Sequence, residues 1–111
     1  MAVEFQTVHF RIEQPDGRSS KSQEEWAKFS RPIRWDENGA PIVEVAIQHF
    51  DISYNNGGLW GGPIAQELVK VERGEPRNNG VPITATAWMR DNPGHQGFVA
   101  EVTALVIADL V

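Results

Sequence analysis

Alternation of apolar and polar side chains is the feature that most constrains how this chain can fold. In IVEVAIQHF, residues 42 to 50, Val43, Val45 and Ile47 fall on one face of an extended chain, with mainly polar side chains on the other. A repeat of two is what a half-buried antiparallel strand requires. Almost no segment has a helical repeat, so the pattern predicts an all-β fold.

Six segments carry this strand character, and turn-forming Pro, Gly, Asn and Asp residues separate most of them. In the first segment Val3 and Phe5 share one face while Val8 and Phe10 share the other, which predicts a bulge or a bend. The stretch SSKSQEEWAKF, residues 19 to 29, is also compatible with a short helix capped by Ser22. The predicted strands cover residues 3 to 14, 24 to 33, 42 to 50, 64 to 73, 81 to 89 and 98 to 111.

The last segment, FVAEVTALVIADLV, is apolar on both faces over its second half. One face of a sandwich strand packs into the core of its own chain, so Leu105 and Ile107 on the other face need a second partner surface. Another subunit is the natural candidate. A central strand between two sheets, without any oligomer, remains the alternative. We expect residues 1 to 111 to form a single domain, an antiparallel β-sandwich of six or seven strands.

Composition excludes several classes of function. The chain has no cysteine, which rules out disulfides and thiol catalysis. Its net charge is -5, and its basic residues are scattered among acidic residues rather than clustered. Such a distribution argues against nucleic acid as a partner. No apolar run approaches the roughly twenty residues of a membrane span, so no membrane insertion is expected. An extracellular, surface or virion location is favoured.

Catalysis has little support in the sequence. His49 and Asp51 share a face if their strand extends that far, but no third ligand follows at a metal-binding spacing. Glu24 and Glu25 are adjacent and would point apart on a strand. No serine lies in a nucleophile-elbow context. We therefore expect a protein that is not an enzyme and uses no cofactor or metal.

Two stretches resemble the H-type lectin domain. The first, WAKFSRPIRWDENGAPIVEVAIQHFDIS, is similar to that family's Phe-Ser-x-Pro segment, its Pro-Pro-x-Val and its Leu-Asp pair. The second, NNGVPITATAW, is similar to its Thr-Gly-Phe strand that ends in Thr-Trp. The resemblance covers residues 24 to 110. The matching positions are Phe29, Ser30, Pro32, Ile33, Pro41, Ile42, Val43, Phe50, Asp51, Gly80, Val81 and Trp88.

The resemblance implies a six-stranded antiparallel sandwich that forms a parallel homotrimer and binds N-acetylgalactosamine or related sugars. In that family a Trp-His pair, a later aromatic, an arginine on the preceding strand and an early aspartate hold the sugar. Trp88 matches, but Met89 stands in the histidine's place, Phe98 in the usual tyrosine's, and PIAQELVKV contains no arginine. Asp16 lies near the early aspartate. The resemblance therefore implies the fold more directly than the sugar preference.

The loop after Trp88 has the residue types of a sugar site whatever the family. Such a site combines an aromatic ring for the apolar face of a pyranose with a few directed polar groups. Trp88, Arg90, Asp91 and His95 lie within eight positions, and Trp88 could equally be a core residue at a strand end. Tyr54 and Trp60, in a glycine-rich stretch, present the same choice.

The candidate ligand-binding residues are Asp16, Trp88, Arg90, Asp91, His95 and Phe98. Two functions remain open: a multivalent carbohydrate-binding module, with a glycan as ligand and galactose-type sugars as candidates, or a structural protein of a phage tail, fibre or surface appendage that binds no small ligand.

Overall fold

The protein folds as two stacked antiparallel sheets, which confirms the all-β prediction. The computed structural model describes residues 2 to 55, 64 to 91 and 96 to 111, except for the side chains of residues 65 and 91. Six strands and no helix occur in that part of the chain. The strands are β1 (Ala2–Gln14), β2 (Lys21–Lys28), β3 (Val43–Tyr54), β4 (Ile64–Arg73), β5 (Gly80–Asp91) and β6 (Phe98–Leu110).

The strands form two three-stranded sheets with the topology of a sandwich. Sheet I has the order β1-β6-β3 and sheet II the order β2-β5-β4, and every pair of neighbours is antiparallel. The last two strands of the chain are therefore the central strands of the two sheets. No helix in the described residues could span a membrane.

The core lies between the inner faces of the two sheets and follows the predicted alternation. In β6 every second residue from Phe98 to Leu110 is buried, and five of these seven are the alanines and valines that let two sheets approach closely. The buried apolar side chains are Val8, Phe10, Ile12, Ala27, Phe29, Ile33, Val43, Val81, Ile83, Ala85, Ala87, Met89, Phe98, Ala100, Val102, Ala104, Val106, Ala108 and Leu110.

The bulge predicted in the first strand is wrong. β1 pairs with β6 in one unbroken register from Ala2 to Gln14. Val3 and Phe5 lie on the outer face of sheet I with 50% and 60% of their surface exposed. The apolar side chains change face while the backbone stays regular. The register shifts lie elsewhere, between Ile47 and His49 in β3 and at the start of β4.

The second predicted strand is shorter than its pattern indicates, and the alternative helix over residues 19 to 29 is wrong. Lys21 to Lys28 pair with β5, and the strand ends there. Beyond it Phe29 donates its backbone N–H to the Asn79 carbonyl at 2.8 Å, and Ile33 donates to Asn78 at 2.9 Å. Both side chains are buried. A crossing segment rather than a strand therefore carries Phe29 and Ile33 into the core.

Candidate functional site

The predicted site lies at the end of the sandwich where β1 and β5 finish and β6 begins. The indole N–H of Trp88 donates a hydrogen bond of 2.7 Å to the backbone carbonyl of Gly17, in the turn between β1 and β2. Trp88 is half-buried and packs against the core. A residue near the end of β5 is thereby joined to a turn that lies seventy-one positions earlier in the chain.

Glycine at position 17 is what allows this approach. A side-chain carbon there would lie 3.1 Å from the Met89 carbonyl oxygen and would collide with the backbone carbonyl of Gln96. Both oxygens belong to the backbone, which cannot give way cheaply. The Pro-Asp-Gly turn therefore packs closely against the end of β5 and the residues that precede β6.

Asp16 is held within the same turn by Arg18. The Arg18 backbone N–H donates to Asp16 Oδ1 at 2.9 Å, and Arg18 Nε donates to Oδ2 at 2.9 Å. The side-chain hydrogen bond with Asp16, followed by the attraction of its charge, raises the pKa of Arg18. The carboxylate is thus fixed in orientation by its neighbour in the turn.

The guanidinium of Arg90 lies beside the indole of Trp88. Its guanidinium carbon lies 5.7 Å from the centroid of the Trp88 ring, within the range of a cation–π contact. Both side chains lie on the outer face of sheet II, since Met89 between them is buried. A planar cation and an aromatic ring therefore occupy one end of this face, and the ring contacts the turn that contains Asp16 through the Gly17 carbonyl.

The other predicted site residues are placed differently. Phe98 has no exposed surface, since it faces the core opposite Gln14 and Tyr54. A buried ring cannot touch a sugar in this arrangement, so the ligand role assigned to Phe98 is not compatible with its position. The Asp91 backbone ends β5 opposite Ile64, and its side chain lies outside the described residues. His95 lies outside them as well.

The remaining sequence candidates are His49, Asp51, Tyr54 and Trp60. His49 and Asp51 do share a face, the outer face of sheet I, opposite Thr103 and Glu101 of β6. In the described part of the chain no three His, Cys, Asp or Glu residues come together to hold a metal ion. Tyr54 is half-buried against the core, and Trp60 lies outside the described residues.

Sequence reasoning missed two contributors to this end of the molecule. Gly17 and Arg18 follow Asp16 directly in the Pro-Asp-Gly-Arg turn. The positive charge of Arg18, two residues after Asp16, is the sequence signal that could have indicated their ion pair. The contact of Gly17 with Trp88 depends on tertiary packing and has no local signal.

Comparison with known proteins leaves the function open. No protein-family model matches the chain, and no curated protein and no solved structure is significantly similar to it. Any functional assignment therefore depends on the geometry of the residues themselves.

Proposed function

We propose that the protein is a carbohydrate-binding domain that acts as a multivalent oligomer, with galactose- or N-acetylgalactosamine-type sugars as the ligand class. The observation that supports this most is the hydrogen bond of 2.7 Å from Trp88 to Gly17. It joins the aromatic residue and the turn that carries Asp16, two parts of the chain that sequence reasoning assigned to one sugar site.

The chemistry of the three residues suits a sugar. The exposed part of the Trp88 indole offers an apolar surface to the C–H face of a pyranose. Arg90 supplies hydrogen-bond donors beside the ring, and the neighbouring turn adds the paired charges of Asp16 and Arg18. One such site holds a sugar weakly, with a dissociation constant of about 1 mM, or about 4 kcal/mol. Several sites on one oligomer would raise the avidity on a glycan-coated surface by roughly a hundredfold or more.

A glycan array at high protein density tests this proposal directly, followed by titration of the best ligand into variants. We expect Arg90→Ala to weaken binding at least tenfold. The matched control is Arg77→Ala, which changes an exposed arginine in the turn before β5. It should leave affinity unchanged. Absence of binding to every galactose-type and N-acetylhexosamine glycan would refute the proposal.

A second candidate is a structural or assembly protein, and the outer face of sheet I favours it. Val3 and Phe5 are exposed there beside Ile107 and Leu105, which are half-buried by the strands that flank β6. These four residues, the apolar patch, form a contiguous surface of the kind that marks a protein interface. Self-association through this patch fits both candidates, and glycan binding separates them.

Light scattering tests the association. We expect a mass above that of one chain at micromolar concentration and dissociation in Phe5→Glu, because a buried unpaired charge is costly. Ile64→Glu is the matched control, since Ile64 is 53% exposed on sheet II, away from the patch. A wild-type mass of one chain would exclude the oligomer in either candidate function.

A further inference from the structure

The outer face of sheet II carries a second tryptophan, which lies towards the opposite end of β5 from the half-buried Trp88. Trp26 of β2 lies opposite Pro82 of β5, and it faces outward because Ala27 beside it is buried. Its ring lies over Gly80, where a side-chain carbon would come within 3.2 Å of the indole. The ring therefore covers Gly80, as aromatic side chains do when they rescue a glycine on a neighbouring strand. Trp26 nevertheless keeps 41% of its surface exposed.

Trp88 belongs to β5, and Trp26 belongs to the neighbouring strand β2 with its ring over Gly80 of β5. Trp88 and Pro82, the partner of Trp26, are six residues apart on the same strand face, which corresponds to about 20 Å at the usual rise per residue. Thr84 and Thr86 fill the outward positions between them, and the Thr86 hydroxyl bonds that of Ser22 at 2.7 Å. An aromatic ring therefore stands near each end of a row of hydroxyl groups.

The charges on this face nearly cancel, since Arg90 adds one positive charge to two pairs of opposite charges. Lys70 pairs with Glu72 at 3.0 Å on β4, and Glu24 and Lys28 lie on either side of Trp26 along β2. Nucleic acid would require an excess of positive charge, and a protein partner usually covers a continuous apolar core. Two separated rings with hydroxyl groups between them instead suit a long, neutral ligand that is rich in hydroxyl groups.

We propose that the outer face of sheet II binds a linear oligosaccharide along β5, with one sugar on Trp26, one at Trp88 and the intervening units over the threonines. This inference rests on the proposed carbohydrate-binding function and extends it from a single terminal sugar to a chain. Trp26 supplies a second stacking surface, and Thr84 supplies a hydrogen-bonding group between the rings.

The test is a titration of wild type and variants with the best array ligand in a series of lengths, from the monosaccharide to the hexasaccharide. We expect the affinity of wild type to rise at least tenfold along the series. Trp26→Ala should abolish that rise while leaving monosaccharide binding intact. The matched control is Trp35→Ala, because Trp35 is 43% exposed and lies outside sheet II. It should behave as wild type.

Thr84→Val provides a second variant, since it keeps the shape of the side chain and leaves Trp26 in place over Gly80. We expect it to weaken binding of the longer ligands severalfold without changing the melting temperature. Equal affinity for all chain lengths, or equal behaviour of Trp26→Ala and Trp35→Ala, would overturn the inference and leave the single-sugar function in place. Failure of every glycan, the monosaccharide included, would instead refute the function itself.

Discussion

At the scale of single residues, Glu4 shows how one carboxylate ties the crossing segment to the sandwich. It accepts hydrogen bonds from the Ser30 hydroxyl at 2.8 Å and from the Ser30 backbone N–H at 3.0 Å. The Ser30 side-chain bond is the main cause that lowers the pKa of Glu4. Because the pKa is lowered, the ionised Glu4 stabilises the fold fully at pH values above the ordinary pKa of glutamate. This contribution to stability is lost as the pH falls through the lowered pKa.

Replacing Ser30 by alanine should therefore raise the pKa of Glu4 towards its ordinary value. The backbone bond from residue 30 remains, so we expect a partial return. A pH titration followed by NMR of the side-chain carboxyl carbon of Glu4 measures it. Ser53→Ala, an exposed serine on β3, is the control and should leave the titration unchanged. An unaltered midpoint in Ser30→Ala would contradict the assigned role of the hydroxyl.

The residues of the candidate site show where sequence reasoning stops. The residue types after Trp88 predicted a polar surface around an aromatic ring, and Arg90 does lie beside that ring. The sequence could not decide whether Trp88 is buried, because the answer depends on Gly17 and on a contact across most of the chain. It also could not show that Phe98 faces the core, since the register of β6 against β1 and β3 decides this.

At the scale of strands, the alternation predicted which segments form β-structure but not how they pair. Strict alternation from Val43 would place His49 on the inner face with Ile47. The register shift in β3 turns His49 outward, opposite Thr103, and leaves Gln48 as the extra residue. One inserted residue reverses the face of everything that follows it, and a single sequence contains no mark of the insertion.

Deletion of Gln48 should then be tolerated. The shortened β3 would pair regularly with β6, with Ile47 and His49 still on their present faces. We expect a loss of less than about 1 kcal/mol in the free energy of unfolding, measured by urea denaturation. Deletion of Val45 is the control, because it would bring Ala46 and Gln48 to the inner face in place of Val45 and Ile47. It should cost about 1–3 kcal/mol more, and equal losses would argue against the bulge.

At the scale of the whole molecule, the outer face of sheet I is divided into two halves. The apolar patch lies in one half, bordered by Glu44 and Asp109, and the other half is charged and polar. There Arg11 bonds Glu101 at 2.6 Å and His9 bonds Thr103 at 3.1 Å. If two copies associate through this face with their β6 strands parallel, the apolar half of one copy meets the apolar half of the other. If the β6 strands are antiparallel and the two faces overlap fully, charged side chains of one copy meet apolar side chains of the other, which is unfavourable.

This division predicts parallel association, and single cysteines can test it because the chain has none of its own. Thr103→Cys and Ile107→Cys place thiols on the outer face of β6, about 13 Å apart at the usual rise per residue. A rotation axis parallel to β6 brings each residue of β6 close to the same residue of the other copy. We therefore expect disulfide-linked dimers from both variants under mild oxidation. A disulfide requires Cα atoms within about 7 Å of each other.

An antiparallel arrangement gives a different result in the same experiment. A two-fold axis perpendicular to β6 brings only one position on the strand close to its own copy, so at most one of the two variants could cross-link. Thr84→Cys, on the outer face of sheet II, is the control and should stay monomeric on a non-reducing gel. Cross-linking of one variant would reverse the predicted orientation, and cross-linking of neither would show that copies do not meet through β6. Efficient cross-linking of both would place the Trp88 ends of all copies at the same end of the assembly, where several sugar sites could engage one surface.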